Sequence, residues 1–209
     1  MTVEIDKALF KKYDIRGRAA GDDPPLTPAV ARRVGQAFGT YLQQQAGQRT
    51  MIVGHDNRLS SPELAQAAIE GALASGCRVI AVGLVATPVA YWHAVQAGDA
   101  GALMVTGSHL APEYNGFKLA VGARSLYGPE IQEIRGLAQS SRLYYGAGEM
   151  TVDKRAADKY LRDLQGRVQM ARRLRVVVDA GSGTAGLFAP ALFSAWGHEV
   201  TCLYLSLIH

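Results

Sequence analysis

The run Ala100-Gly101-Ala102-Leu103-Met104-Val105, continuing as Thr106-Gly107-Ser108-His109-Leu110-Ala111-Pro112-Glu113-Tyr114-Asn115-Gly116-Phe117-Lys118, decides the fold. Its first six residues are apolar and bounded, the pattern of a short buried strand. The next stretch is rich in Gly, Pro and Asn, residues that turn a chain rather than extend it. A hydroxyl (Ser108), an imidazole (His109) and an ammonium (Lys118) are thereby carried on one loop just past a strand end, where open α/β sheets bind their ligands. Gly107, Pro112 and Gly116 are expected to shape a loop that returns Lys118 towards Ser108.

Outward from this loop, strand and helix patterns alternate. Thr27–Ala46 reads as an amphipathic helix, with Val30, Val34, Phe38 and Leu42 on one stripe, Thr27 as N-cap and Pro28 in the first turn. Met51–Gly54 is a strand, and Ser60 and Glu63 stand at capping-box spacing before a helix that runs to about Gly76. Arg78–Leu84 is a strand, Pro88–Gln96 a helix, Phe117–Val121 a strand and Pro129–Gln139 a helix. This alternation predicts an α/β fold, a mixed parallel sheet with helices on both faces.

The first domain is expected to span residues 1–146. Residues 147–209 read as the incomplete start of a second similar α/β domain: a helix from about Val152 to Gly166, a strand at Val176–Val178, a glycine-rich turn at Asp179–Gly186, a helix at Leu187–Trp196 and a strand at Glu199–Leu205. The chain therefore reads as truncated. Its last residues, Leu205-Ser206-Leu207-Ile208-His209, match the translation of a transposase sequencing adapter and are expected to be an artefactual tail.

Composition narrows the function classes. The 209 residues are 48% hydrophobic and 19% charged, with net charge +4, values of a folded globular chain. The charge is dispersed, so no nucleic-acid partner is expected, and the cluster Arg172, Arg173, Arg175 reads as a solvated face. Val79–Trp92 is interrupted and too short to span a membrane, and Met1–Lys12 lacks the apolar core of a signal peptide. Cys77 and Cys202 lie far apart in strand-like runs and read as buried thiols, so a reducing cytoplasm is the expected location.

Several segments in order resemble one family. Phe10-Lys11-Lys12-Tyr13-Asp14-Ile15-Arg16-Gly17 is similar to an F-x-x-Y-D-I-R-G signature, and Gly54-His55-Asp56-Asn57-Arg58-Leu59-Ser60-Ser61 to a G-R-D-x-R-x-S-S segment, with His55 where Arg is usual. Thr87-Pro88 and the Thr106–Lys118 loop complete the set, with Leu110 where Asn usually follows Ser-His. Together they resemble domain I of the α-D-phosphohexomutases, the phosphomannomutase/phosphoglucomutase family.

The resemblance implies a phosphohexomutase that moves a phosphoryl group between the 1- and 6-positions of a hexose phosphate, mannose or glucose, through phosphoserine and a 1,6-bisphosphate. It makes Ser108 the phosphoryl carrier, Arg16 a guanidinium for phosphoryl oxygens, and His109 and Lys118 the acid/base or charge-stabilising groups. Tyr13, Arg16 and Lys118 would line the substrate pocket. Asp14 reads as a partner of Arg16, and Asp56–Arg58 as an ion pair supporting the loop. The implied cofactor is Mg²⁺, reached here only through the phosphate on Ser108. The family's D-G-D-x-D-R metal loop is absent from the sequence, and Gly21-Asp22-Asp23 is an ordinary loop. The full-length protein would be a monomer or homodimer, and this chain alone is expected to be inactive.

Two other classes compete. Gly181-x-Gly183-x-x-Gly186 is a G-x-G-x-x-G between a strand and a helix, as in a dinucleotide-binding oxidoreductase. Such a site also wants an acid at the end of the next strand, and Cys202-Leu203-Tyr204-Leu205 supplies none. The family resemblance gives this turn a role in chain geometry. The other rival is a non-catalytic sugar-phosphate-binding remnant.

Overall fold

The computed structural model describes residues 4–205. Among them the main sheet contains β1 (Ile15–Arg18), β2 (Thr50–His55), β3 (Arg78–Leu84), β4 (Gly101–Val105), β5 (Tyr114–Val121), β6 (Arg124–Ser125) and β7 (Glu149–Val152), in the order β1-β5-β4-β2-β3-β7 with β6 beside β5. β4, β2, β3 and β7 are mutually parallel, whereas β5 runs antiparallel to both β4 and β1. The sheet is mixed, as the alternation of elements predicts.

Strand alternation sorts the core into two layers. Met51, Val53, Leu103, Val105, Phe117 and Leu119 face one side, packed with α1 (Pro28–Gln45), α2 (Ser61–Ala74) and α4 (Pro129–Ala138). Ile52, Ala102, Met104 and Ala120 face the other, packed with α3 (Thr87–Gln96) and α5 (Ala156–Arg167). The α1 stripe is buried as its spacing requires. Phe38 and Leu42 are fully enclosed, each stabilising the fold by roughly 1.5–3 kcal/mol. Thr27 caps α1 by accepting from the Val30 amide at 3.2 Å, with Pro28 opening the helix.

Beyond α5, β8 (Arg175–Asp179) and β9 (Glu199–Leu203) pair in parallel as a separate two-stranded sheet. α6 (Ala189–Ala195) packs on β9. Phe188 is buried in the α3–α5 layer with Val82, Val85 and Ala156, tying this part to the main sheet.

Several expectations need correction. Ser60 makes no side-chain cap on α2, because its backbone is itself helical (φ −80°, ψ −13°) rather than extended as an N-cap requires; its hydroxyl accepts from Asn115. β5 begins at Tyr114 rather than Phe117, since pairing with β1 extends it. The helix expected from Val152 starts at Ala156, because residues 149–152 form β7 on the edge of the main sheet. The helix expected from Leu187 is preceded by a 3-10 turn, Thr184–Leu187, and begins at Ala189. The last strand stops at Leu203, and of the expected artefactual tail only Leu205 lies within the described residues. Cys77 is buried, but Cys202 is exposed on the outer strand β9. The Arg172–Arg175 face is exposed, and no helix among the described residues is long and apolar enough to cross a membrane.

Candidate active-site loop

The loop leaves β4 through Thr106, whose amide donates to the Gly116 carbonyl at 3.0 Å and closes the loop on β5. Its side-chain oxygen accepts from the Ser108 amide at 2.9 Å. Ser108 is held at φ +57°, the left-handed region that disfavours any residue with a Cβ. Its side chain is exposed, with Oγ 3.3 Å from His109 Nδ1. The hydroxyl is thus exposed beside an imidazole, on a backbone conformation that costs energy to hold.

Beneath the loop lies Arg58. Its Nη1 donates to the carbonyls of Ala111 (2.6 Å) and Tyr114 (3.0 Å), and its Nη2 to those of Ser108 (3.1 Å) and Leu110 (2.6 Å). Its Nε lies 3.4 Å from Asp56, which confirms the expected ion pair. The buried Asp56 carboxylate also accepts from the amides of Arg58 and Gly107 and from the Ser61 hydroxyl. Gly107 has to be glycine here, because a Cβ would stand 2.4 Å from the Arg58 Cζ and 2.6 Å from the Tyr114 carbonyl oxygen. Asn115, fully buried, locks the loop base by donating to the hydroxyls of Ser60 (2.9 Å) and Ser61 (2.8 Å). Sequence reasoning read Asn115 only as a turn former and assigned Arg58 a single ionic partner. The several carbonyl contacts that the guanidinium makes depend on the path of the loop and carry no sequence signal.

The N-terminal signature lies alongside. Arg16 on β1 pairs with the buried Asp14 carboxylate, and Lys118 Nζ on β5 lies 3.8 Å from the same carboxylate. The expected Asp14–Arg16 pairing is therefore present. Register sets Arg16 opposite Gly116 and Lys118 opposite Met104. Lys118 makes no hydrogen bond to Ser108 among the described residues; Asp14 holds it instead. Tyr13 and Arg16 line a cleft of about 620 Å³ with Lys11, Lys12 and Leu110. Ser108 lines a second cleft of about 650 Å³ with Arg58, Leu59 and Gly181–Thr184. Leu110 borders both, so the residue that departs from the usual Asn forms an apolar divider between them. His55, the other departure, donates through Nδ1 to the Asp56 carbonyl at 2.8 Å.

The glycine-rich turn faces Ser108 across the second cleft and is tied to it by Asn57, whose side-chain amide donates to the Ser182 carbonyl at 2.9 Å. Four of its amides are already engaged: Gly181 with Asp179 Oδ1, Ser182 with Tyr204, Gly183 with Ala180 and Gly186 with Gly183. A pyrophosphate bound at the turn would have to compete for those donors. As for Mg²⁺, no group of three His, Cys, Asp or Glu side chains among the described residues is placed to hold a metal ion. Asp56, the acid beneath the loop, is occupied by its own partners. The described residues do not fit a metal site by themselves.

Comparison with known proteins places these features in a lineage. Residues 7–144 match the family described as phosphoglucomutase/phosphomannomutase, alpha/beta/alpha domain I. The chain is 40% identical to a phosphomannomutase/phosphoglucomutase of Pseudomonas aeruginosa over 96% of its own length and 42% of the relative. It is 35% identical to a phosphoglucomutase of Neisseria meningitidis, over 96% and 43%. A crystal structure of a phosphoglucomutase/phosphomannomutase family protein from Burkholderia thailandensis superposes with a TM-score of 0.88 at 37% identity, over 97% of this chain and 45% of that one. The chain thus spans less than half the length of the curated relatives it matches. The match across residues 7–144 takes in the N-terminal signature, the Asp56–Arg58 segment and the serine loop together, and the chain belongs to the phosphoglucomutase/phosphomannomutase family.

Proposed function

We propose that this chain forms the phosphoserine-bearing part of a phosphohexomutase, acting in the cytoplasm on mannose or glucose phosphate, with Ser108 as phosphoryl carrier. The observation that carries the reading is Ser108 itself, exposed at φ +57° beside His109 on a loop beyond β4. The names of the relatives point to the same reaction class.

In the forward half-reaction a sugar hydroxyl oxygen attacks the phosphorus carried by Ser108. The new O–P bond forms as the bond to Ser108 Oγ breaks, the hydroxyl loses its proton and Oγ takes one up. His109 stands within reach of Oγ for that proton. Arg16 offers a bidentate fork to phosphoryl oxygens, Lys118 adds positive charge and Tyr13 borders the sugar. The second half-reaction returns a phosphoryl group from the bisphosphate to Ser108. A Mg²⁺ counter-charge for the phosphoserine would draw only the Ser108 phosphate from this chain. Residues 1–146 make up the first domain in this reading and 147–209 the start of a second, and the chain by itself does not turn over.

The test uses the full-length gene product. Intact mass should reveal a phosphate that Ser108→Ala lacks, and mutase turnover should fall by orders of magnitude while sugar-phosphate binding survives. Phosphate on another residue, or wild-type turnover in Ser108→Ala, would refute the assignment. A dinucleotide-dependent oxidoreductase is less well supported, because the amides of Gly181, Ser182, Gly183 and Gly186 are already spent within the turn. A non-catalytic remnant would reveal itself as a full-length protein that binds hexose phosphate without converting it.

A further inference from the structure

Arg58 is one of the most fully engaged side chains in the molecule. A guanidinium has five N–H donors in one plane. Here Nε serves Asp56, and Nη1 and Nη2 each serve two carbonyls, drawn from Ser108, Leu110, Ala111 and Tyr114. Its side chain is 14% exposed. These are charge-assisted bonds in a partly dry setting, stronger than bonds between neutral groups. The carbonyls span the whole loop, from the residue after Gly107 to the first residue of β5.

We infer that Arg58 is the positioning residue of the phosphoryl-transfer loop: it clamps four backbone carbonyls so that Ser108 is held in its left-handed conformation. This rests on the phosphoryl-carrier reading of Ser108, and it adds a cause for the geometry. A serine left to itself relaxes from φ +57° to an extended or helical conformation. The bond from Arg58 Nη2 to the Ser108 carbonyl, together with the Ser108 amide bond to Thr106, fixes the peptide units on both sides of that residue.

The clamp also has an electrostatic effect. Carbonyl oxygens are the negative ends of peptide dipoles and would repel a phosphate dianion. Bonding four of them to one cation offsets those negative ends close to Ser108. Asp56 offsets the positive charge of Arg58 and fixes its direction, with Gly107 leaving room for the guanidinium plane. Lysine cannot replace it, since an ammonium is a point donor with three N–H groups and cannot span four carbonyls and a carboxylate in one plane.

The experiment compares wild type, Arg58→Lys and Arg58→Ala in two ways. In the 209-residue chain, NMR chemical shifts of Ser108 report its backbone conformation and amide exchange reports opening of residues 106–116. Both variants should move Ser108 out of the left-handed region and speed loop exchange about tenfold, equal to about 1.4 kcal/mol of local opening, with amides of β2 and β4 unchanged. Added guanidinium ion should restore part of the protection in Arg58→Ala, which a general loss of stability would not do. In the full-length gene product, phosphoryl transfer through Ser108 should slow in Arg58→Lys, with kcat falling and KM near wild type. Ser108 shifts and loop exchange like wild type in Arg58→Lys would overturn the clamp, as would a loosened loop that transfers phosphate at the wild-type rate. If Arg58→Ala does not fold, Arg58→Lys carries the same readouts. A loosened loop in a protein whose wild type carries no phosphate on Ser108 would support the clamp and refute the carrier reading, so the two failures are separable.

Discussion

Asp14 and Lys118 face each other at 3.8 Å across the β1–β5 pair, and the same carboxylate also holds Arg16. One buried acid therefore sets two cations that would otherwise repel each other. Asp14→Asn keeps the shape and removes the charge. It should cost about 1–3 kcal/mol in urea unfolding, because two partly buried cations lose their counter-ion. It should also slow phosphoryl transfer in the full-length protein, since Arg16 and Lys118 lose their fixed direction. Unchanged stability and turnover would show that the carboxylate organises neither cation.

Gly116 on β5 stands opposite Arg16 on β1. A Cβ there would lie 2.1 Å from the Ile15 carbonyl oxygen, which is backbone and cannot swing aside. Gly116→Ala should therefore push β1 off the sheet and lower stability by roughly 2–4 kcal/mol. Loss of the Ile15–Arg18 amide protection in hydrogen exchange, before that of β2, would locate the damage.

Ser108 gives a sharper comparison. Ser108→Ala and Ser108→Gly both lose the hydroxyl, yet only glycine adopts φ +57° without a Cβ penalty. The glycine variant should be more stable than the alanine variant by about 0.5–1 kcal/mol, with both inactive as carriers. Equal midpoints in thermal unfolding would mean that the left-handed conformation carries no cost.

Two groups outside the loop set pH limits. Burial, reinforced by the hydrogen bond to Glu130, pushes the Tyr41 hydroxyl up to about 12. Burial alone would raise Glu130 as well, but hydrogen bonds from Arg124, Tyr41 and the Tyr127 amide outweigh it and hold the carboxyl below its usual 4.5. For Glu130 the folded pKa lies below the unfolded one, so its stabilisation is present above 4.5 and is lost as pH falls through the folded value. For Tyr41 the folded pKa lies above the unfolded value of 10.0, so stability falls as pH rises from there towards 12. Glu130→Gln should flatten the acid limb of a stability–pH curve and Tyr41→Phe the alkaline limb. Unaltered slopes in both variants would count against this account.

What the sequence discloses, and what it hides, follows from where each element gets its stability. α1 is legible because its stripe and its Thr27 cap are local, and β4 because all its residues are buried and apolar. β1 reads Ile-Arg-Gly-Arg, with no pattern that favours a strand over a loop, and β7 reads Glu-Met-Thr-Val, an alternation only four residues long. They are strands because β5 and β3 offer them a hydrogen-bonded edge, which is tertiary information. Ser60 illustrates the same point in miniature. Its spacing to Glu63 suits a cap, but its backbone is already helical and its hydroxyl serves as an acceptor for the buried Asn115 on β5. At the site, the residue types were visible, whereas the shared Asp14 and the carbonyl cluster around Arg58 exist only once the loop is folded.

The place of β1 also has a consequence for synthesis on the ribosome. Its sheet partner is β5, so β1 emerges early and stays unpaired until Tyr114–Phe117 has been made. β2, β3 and β4 lie between them in sequence and can assemble with their helices first. The Ser108 loop and the strand that carries Arg16 therefore come together in a late, long-range closure, the slow kind of step in which a nascent chain is most exposed to misassembly. A chaperone or a neighbouring nascent chain would meet the N-terminal arm before the sheet does.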